Sequence, residues 1–479
     1  MDALKTYFTA TKKVEKEYAN HSIQIEGTLP KEIQGTLFRN GNGRFEHQEV
    51  KYEHLFDGDG MVTKFVFKDG QLLYSNKYVR TQEFVEEEAA GKMLYRSFGT
   101  NIPGGIRTNF FKMKFKNAAN TSLIHHGGKL LALWEGGLPH EIDPYSLETI
   151  SRYDYNGVLI NDFSWLDHKI TPELPFSAHP KVDKKTGILH NFGTAAGTKQ
   201  RLVLYKVDPK GVASIDHALD IGSVTFTHDF VLTDSGKRIF FLTPVAFDLF
   251  KTFSGLQSPV ASIKINKNNK TKILVVEPDG ATIEYETDFC FVFHFANGYE
   301  ENNKLVIDGY ILNDFPDAES TKQFLSGIAV ESELPKLTRF EIDLSSKEVN
   351  ASALSEYPGE LPFINPDLEG KPYQYSWNIS GPSDTKEFIL TGVAKVDVQN
   401  KDTLLRDFAP SLTGEPVFVP AENPKSEDDG YLIMLLFNTE LEQTELHILR
   451  ADDLSSVAKG VLPHNIPLGF HGFWTDSLY

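Results

Sequence analysis

The chain has 479 residues, of which 66 are acidic and 48 basic, so its formal charge is −18. This acidic balance excludes nucleic acid as the main partner, because phosphate binding needs clustered lysine and arginine side chains. Hydrophobic residues make up 40% of the chain and aromatic residues 12%, which indicates a folded globular protein rather than a disordered one.

The N-terminal residues 1–20 combine scattered apolar side chains with many charged ones, and predict a short helical extension. They lack the apolar core of a secretion signal. Cys290 is the single cysteine, so no internal disulfide can form. These features predict a cytoplasmic protein, because reducing compartments keep thiols unpaired.

From about His21 onward, short apolar or alternating segments are separated by turn sequences rich in glycine, proline and aspartate. Many short strands with regular turns indicate an all-β sandwich, barrel or propeller, and no sequence repeat decides between these. No shift of composition marks a linker, so we predict one domain over residues 1–479. The predicted strands are Thr63–Phe67, Gln71–Val79, Leu202–Val207, Arg238–Leu242, Lys272–Val276, Lys304–Leu312, Thr338–Ile342, Phe388–Val396 and Tyr431–Leu436.

Four of the histidines are flanked by aromatic or small residues: His179, His228, His294 and His471. A neutral imidazole buried in such a setting needs a polar partner, and a transition metal is one such partner. None of the four belongs to a local metal motif such as His-x-x-x-His. The residues alone therefore leave two interpretations open, a metal centre or ordinary buried histidines.

Three glutamates, Glu135, Glu360 and Glu415, lie beside glycine, proline and apolar residues. Metal-bound histidines usually donate their second ring N–H group to a carboxylate or a carbonyl, which fixes the tautomer and the ring orientation. Buried glutamates would suit that role. The alternative is that each glutamate belongs to a surface turn.

Several ordered motifs make the sequence similar to the carotenoid cleavage oxygenase family, also called the retinal pigment epithelial membrane protein family. The resemblance extends through the settings of the four histidines to residue 474, and so covers nearly the whole chain. The motifs that carry it are Phe38–Gly43, His54–Val62, Tyr78–Gln82, Asn117–Thr121 and Leu131–His140.

The resemblance implies a seven-bladed β-propeller whose loop and helix cap forms an apolar substrate tunnel. It also implies one Fe(II) ion per chain, bound by the four histidines, with O₂ as the co-substrate. The family pattern pairs Glu135 with His228, Glu360 with His294 and Glu415 with His471. That pairing leaves His179 without a carboxylate partner.

The implied reaction is oxidative cleavage of a C=C bond in an apolar polyene. The branch most similar in sequence cleaves apocarotenoids at the 15,15′ bond to give retinal. Stilbene-cleaving members tend to carry lysine where this chain has Trp134, which suits a polyene better. Three alternatives remain open: stilbene cleavage, a non-catalytic carrier of apolar ligands, and an isomerase-type relative.

A polyene is nearly insoluble in water and must be taken from a membrane or a carrier. Phe247, Phe250 and Phe253 could surround a tunnel mouth and contact lipid, together with Phe110 and Phe111. Because the chain is acidic, we expect this peripheral membrane contact to be insensitive to salt. The alternative is a helix packed on the propeller, and no protein partner is required.

Overall fold

A computed structural model describes residues 3–47, 50–112, 114–222, 225–314, 318–325, 328, 333–386 and 389–479. Short antiparallel strands account for most of the regular structure. In chain order they are β1 (Tyr18–Ile23), β2 (Ile25–Gly27), β3 (Gly35–Arg44), β4 (Glu46–His47), β5 (Val50–Lys51), β6 (Asp59–Lys68), β7 (Gln71–Tyr78), β8 (Ser122–His126), β9 (Lys129–Leu133), β10 (His140–Ile142), β11 (Thr149–Arg152), β12 (Lys181–Val182), β13 (Leu189–Ala195), β14 (Arg201–Val207), β15 (Ala213–Asp220), β16 (Thr225–Phe226), β17 (Val231–Leu232), β18 (Arg238–Phe247), β19 (Ile263–Ile265), β20 (Thr271–Val276), β21 (Thr282–Thr287), β22 (Phe291–Glu301), β23 (Lys304–Leu312), β24 (Lys336–Asp343), β25 (Val349–Ile364), β26 (Tyr375–Ser380), β27 (Gly392–Asp397), β28 (Asp402–Asp407), β29 (Leu412–Thr413), β30 (Val417–Pro420), β31 (Gly430–Asn438), β32 (Gln443–Arg450), β33 (Ser456–Val461) and β34 (Gly472–Thr475).

Apart from the small β4–β5 hairpin, the described strands form seven antiparallel units, which we call blades and number along the chain. Blade 1 contains β34, β3, β6, β7 and β1, blade 2 contains β8–β11, and blade 3 contains β12–β15. Blade 4 contains β16–β21, and blade 5 contains β22–β24 with the first half of β25. Blade 6 contains the second half of β25 with β26–β28, and blade 7 contains β29–β33 with β2.

Two strand pairings close the ring of blades. The C-terminal strand β34 pairs with β3 in blade 1, where Thr475 lies opposite Thr36. Strand β2, the second strand from the N-terminus, pairs with β33 in blade 7, where Ile25 lies opposite Gly460. Each end of the chain therefore completes a blade formed by the other end, and the fold is the predicted seven-bladed β-propeller.

Apolar side chains between neighbouring blades form the core. Leu131 and Leu133 of blade 2, for example, share one buried cluster with Leu189, Val203 and Tyr205 of blade 3. Alternation along each strand sends such side chains to both faces of every sheet, so that each blade packs on both of its neighbours. This packing explains why a ring of small sheets is stable without a single central core.

Most of the predicted strands are confirmed, but one of them is only partly right. The segment predicted as Phe388–Val396 becomes a strand only at Gly392, and Phe388 lies outside the described residues. Ile389 is apolar for another reason, since it packs with Leu412 and Phe437 beneath the N-terminal helix. That helix occupies residues 3–10 of the predicted 1–20 extension.

The helices of the described residues lie on one face of the propeller. Those at residues 82–90, 106–109 and 165–170 precede the innermost strand of the next blade, and those at 249–254 and 318–325 follow the strand next to the innermost one. Both kinds of connection emerge on the same side because consecutive strands are antiparallel. The N-terminal helix shares an apolar cluster with Phe324 of the last of these helices. None of them is long and apolar enough to cross a bilayer. The helices are α1 (Ala3–Ala10), α2 (Gln82–Ala90), α3 (Ile106–Asn109), α4 (Trp165–Ile170), α5 (Leu249–Ser254) and α6 (Ala318–Leu325).

Candidate metal centre

The four histidines of the sequence pattern come from the inner strands of four blades. His179 precedes β12 of blade 3, His228 lies between β16 and β17 of blade 4, and His294 lies in β22 of blade 5. His471 precedes β34 of blade 1. Inner strands converge on the propeller axis, and this explains how residues so far apart in the sequence meet without a local motif.

The imidazole ring of His179 contacts those of the other three histidines. The ring centroid of His179 lies 4.4 Å from that of His228, 5.1 Å from that of His294 and 4.7 Å from that of His471. The Nε2 atoms of His179 and His228 are 2.9 Å apart. Two imidazoles bound at right angles to one ion, each at about 2.1 Å as in zinc sites, would have nitrogens about 3.0 Å apart.

The other histidine pairs are also compatible with a shared ion. One ring nitrogen from each of His179, His294 and His471 lies within 4.8 Å of the other two. His228 falls in a second such group, together with His179 and Glu135. His179 is therefore common to both groups, and the residues form one cluster that could hold a metal ion.

Glu360 positions the ring of His294. Its Oε2 atom lies 2.6 Å from Nδ1 of His294 and accepts the backbone N–H of Leu361 at 2.7 Å. Leu361 has a φ of +53°, a strained conformation for a non-glycine residue that persists only where the surroundings enforce it. Burial raises the pKa of Glu360 to about 8.

Glu415 positions the ring of His471 in a similar way. Its Oε1 atom lies 2.8 Å from Nδ1 of His471, and its Oε2 atom accepts the backbone N–H of Gly472 at 2.7 Å. The buried guanidinium of Arg39 donates to the backbone carbonyl of Glu415 at 2.8 Å. Both the side chain and the backbone of Glu415 are therefore fixed.

Glu135 has the weakest of the three contacts. Its Oε2 atom lies 3.3 Å from Nδ1 of His228, and its side chain remains 28% exposed. No carboxylate among the described residues forms a hydrogen bond or ion pair with His179. Three histidines thus have Nδ1 next to a glutamate, an arrangement that leaves Nε2 free for another partner.

The electrostatics of the cluster favour neutral imidazoles at two positions. Burial and the neighbouring rings hold the pKa of His179 and of His294 well below the usual histidine value. Burial lowers the pKa of His228, but Glu135 and other carboxylates outweigh that effect and raise it. The buried Nε2 atom of His294 has no hydrogen-bond partner among the described residues. A neutral imidazole with an unpaired, buried nitrogen fits a metal ligand.

The role of the motif Phe38–Gly43 was not apparent from the sequence. Asn40 donates its backbone N–H to the carbonyl of His471 at 2.9 Å, and its own carbonyl accepts the N–H of Phe470 at 2.9 Å. A side chain at Gly41 would collide with Gly469, since its Cβ atom would come within 2.2 Å of the Gly469 Cα. This motif therefore holds the segment that carries His471.

Half-buried phenylalanine rings extend away from the cluster, and no sequence pattern predicts them. Phe293 lies 5.5 Å from the ring of His228 and 6.1 Å from the ring of Phe56. Phe56 in turn lies 6.5 Å from Phe98 and 5.9 Å from Phe470. We call Phe56, Phe98, Phe293 and Phe470 the aromatic cluster. Phenylalanines recur throughout this chain, so only their spatial grouping distinguishes these.

Trp134, a predicted tunnel residue, is half-buried next to Glu135. Its indole ring faces the backbone of the two following glycines. A Cβ atom at Gly136 would lie 2.9 Å from this ring, and one at Gly137 would lie 3.1 Å from it. The Gly-Gly pair therefore gives the indole the space that it occupies.

The predicted apolar patch lies on the face of the propeller that carries the helices. The side chains of Phe110, Phe111 and Phe250 are 58%, 65% and 76% exposed. Phe253 is half-buried and stacks on Phe111 at 6.4 Å, while the side chain of Phe247 lies outside the described residues. Helices α3 and α5 thus present adjacent exposed phenylalanines, and α5 also packs on the fold.

Comparisons with known proteins agree on one family. The model of the retinal pigment epithelial membrane protein family matches residues 11–476. The chain is 34% identical to an apocarotenoid-15,15′-oxygenase of Synechocystis over 95% of this chain and 92% of that protein. It is 30% identical to an isoeugenol monooxygenase of Pseudomonas nitroreducens over 94% of each chain.

Solved structures give the same result. The crystal structure of the cobalt-substituted Synechocystis apocarotenoid oxygenase superposes with a TM-score of 0.92. The two chains are 32% identical, and the match covers 99% of each. On the evidence of its motifs, its fold and these matches, the chain belongs to the retinal pigment epithelial membrane protein family.

Proposed function

We propose that this protein is a non-haem Fe(II) dioxygenase that cleaves one C=C bond of an apocarotenoid. The bond would be the 15,15′ bond of an apocarotenal, and one product would be retinal. The observation that supports this most directly is the grouping of His228, His294 and His471 around His179, with ring centroids 4.4, 5.1 and 4.7 Å from its own. The family and the similarity to the Synechocystis apocarotenoid oxygenase supply the substrate class.

The four histidines are the residues that would hold the ion. All are neutral ligands, so the ion would keep its full positive charge, unlike an ion bound by two histidines and a carboxylate. Iron(II) held by these residues would supply the activation of O₂ that cleavage of the double bond requires. In its ionised form, each glutamate accepts the Nδ1 proton of its histidine, which directs Nε2 of His228, His294 and His471 to the centre.

The overall reaction needs no acid or base from the protein. One alkene and one O₂ molecule contain all the atoms of two carbonyl fragments, so no proton has to be gained or lost. The task that remains for the chain is positioning, which a rigid tunnel can perform for a rigid polyene. The aromatic cluster next to His228 would line such a tunnel and exclude water.

A second candidate substrate class is the phenolic alkenes, which include stilbenes and isoeugenol. The similarity to an isoeugenol monooxygenase favours it. Against it, the rings that adjoin His228 and His294 are those of Phe293 and its phenylalanine neighbours, which offer no hydrogen bond to a phenol. Trp134 likewise stands where stilbene-cleaving relatives tend to carry lysine.

One experiment separates these functions. The purified Fe(II)-loaded protein is supplied with an apocarotenal, a hydroxystilbene and isoeugenol in parallel, while O₂ consumption and products are measured. We expect O₂ uptake and retinal from the apocarotenal alone. Aldehydes from the phenolic alkenes alone would favour the second candidate. Tight binding of the apocarotenal without O₂ uptake would instead indicate a carrier.

We also propose that Phe110, Phe111 and Phe250 contact a membrane from which the substrate enters. Phe111 has a φ of +53°, so the backbone is strained where it exposes this ring. Replacing all three residues with serine should reduce co-sedimentation with phosphatidylcholine vesicles at low and high salt alike. Val212→Ser is the matched control, because Val212 is 65% exposed on the opposite face. Unchanged sedimentation of the triple variant would contradict this proposal.

A further inference from the structure

One buried carboxylate connects three of the histidine-bearing segments. Asp229 directly follows His228 and is 3% exposed. Its Oδ2 atom accepts the backbone N–H of Phe295, the residue after His294, at 3.0 Å. Its Oδ1 atom lies 3.2 Å from Nζ of Lys181, two residues after His179. The same Oδ1 atom accepts the N–H of Phe230 at 2.8 Å.

We propose that Asp229 is a positioning residue that fixes the spacing of His179, His228 and His294. The inference rests on the proposed metal function of those histidines. Charge-assisted hydrogen bonds are shorter and stronger than neutral ones, and burial strengthens them further. A single carboxylate that holds all three segments therefore restricts their relative movement more than separate contacts would.

Asp229 also complements the three glutamates. Each glutamate acts on the ring of one histidine, and His179 has no such partner among the described residues. The ion pair between Asp229 and the Nζ atom of Lys181 holds the segment of His179 instead. Asp229 thereby links the one histidine without a glutamate to two that have one.

The test uses Co(II) as a spectroscopic probe in the full-length protein. Co(II) affinity, the visible absorption bands of the bound ion and the thermal unfolding temperature are measured for the wild type, Asp229→Asn and Lys181→Met. The control is Asp308→Asn, because Asp308 is an equally buried carboxylate that accepts hydrogen bonds from Arg339 and Tyr373 within blades 5 and 6.

We expect Asp229→Asn to weaken Co(II) binding by about 10-fold or more and to shift the absorption bands, because the ligand spacing changes. Lys181→Met should act in the same direction but less strongly, since Asp229 keeps both backbone hydrogen bonds. Asp308→Asn should lower the unfolding temperature and leave the spectrum unchanged.

Two results would overturn the inference, and they can be told apart. Wild-type affinity and spectrum in folded Asp229→Asn, or in folded Lys181→Met if the first variant does not fold, would show that the carboxylate does not position the ligands. Failure of the wild-type protein to bind Co(II) would overturn the proposed metal centre itself.

Discussion

The histidines at the propeller axis differ from a histidine buried inside a blade, His140, in a way that identifies the candidate site. His140 in blade 2 is 2% exposed, whereas His179 and His228 are each 9% exposed. Neither ring nitrogen of His140 has a hydrogen-bond partner among the described residues. A histidine outside the cluster is therefore more deeply buried than those within it, so burial alone does not reveal a metal centre.

Convergence and carboxylate pairing distinguish the axial histidines. The rings of His294 and His471 lie 4.8 Å apart, and each has a glutamate on Nδ1. A histidine–glutamate pair by itself is not sufficient either. His447 and Glu445 in blade 7 form a pair at 2.8 Å that lies apart from the cluster. Among the described residues, only His228, His294 and His471 combine both features.

The largest expected effect sharpens this contrast directly. His228→Ala removes a nitrogen from the cluster, and tight metal binding should be lost, an effect greater than the roughly 100-fold typical of changes around a ligand. His140→Leu should retain the metal, because His140 does not approach the cluster. Metal content after dialysis, measured by mass spectrometry, checks both variants. Metal retention by His228→Ala would disprove the assignment.

A smaller effect is expected from the glutamates. Glu360→Gln and Glu415→Gln should each weaken metal affinity by about 10- to 100-fold, because the ring orientation is lost. Glu135→Gln should weaken metal affinity less, since the contact of Glu135 with His228 is longer and its side chain is partly exposed. Competition with a chelator of known affinity measures these changes.

The control for the glutamates is Glu445→Gln, which breaks the histidine–glutamate pair of blade 7. It should leave metal affinity unchanged. Equal losses for Glu445→Gln and Glu415→Gln would mean that the affinity changes report general destabilisation. In that case the three axial glutamates would have no specific role.

The sequence allowed much of the fold and the axial residues to be predicted, but for different reasons. Strands such as β23 follow from local alternation and turn residues, and Lys304–Leu312 was predicted with the bounds that the structure has. The pairings of Glu360 and Glu415 came from the family resemblance, because nothing local joins residues that meet only at the propeller axis. Neither source indicated the bridging role of Asp229.

The aromatic cluster and the support of His471 by Asn40 could not be predicted from the sequence. Each depends on contacts between distant blades, as when the backbone of Asn40 pairs with that of His471. Local patterns do not record such contacts. The segment around Ile389 shows that an apolar pattern can also mislead. Its apolar residues predict a strand, but Ile389 packs beneath the N-terminal helix.

The last expected effect concerns stability rather than metal binding. Burial and the nearby Arg152 lower the pKa of His140 to about 4, against about 6.5 in the unfolded chain. Between these two values the unfolded state binds a proton that the folded state does not, so stability is complete above pH 6.5 and falls as the pH is lowered to 4. This pKa difference corresponds to a contribution of about 3 kcal/mol from His140 to the free energy of unfolding.

His140→Leu should therefore lose less stability than the wild type when urea unfolding is compared at pH 7 and pH 4.5. An identical loss in both proteins would show that His140 is not a determinant of acid sensitivity, and the contrast between blade and axis would then rest on metal binding alone.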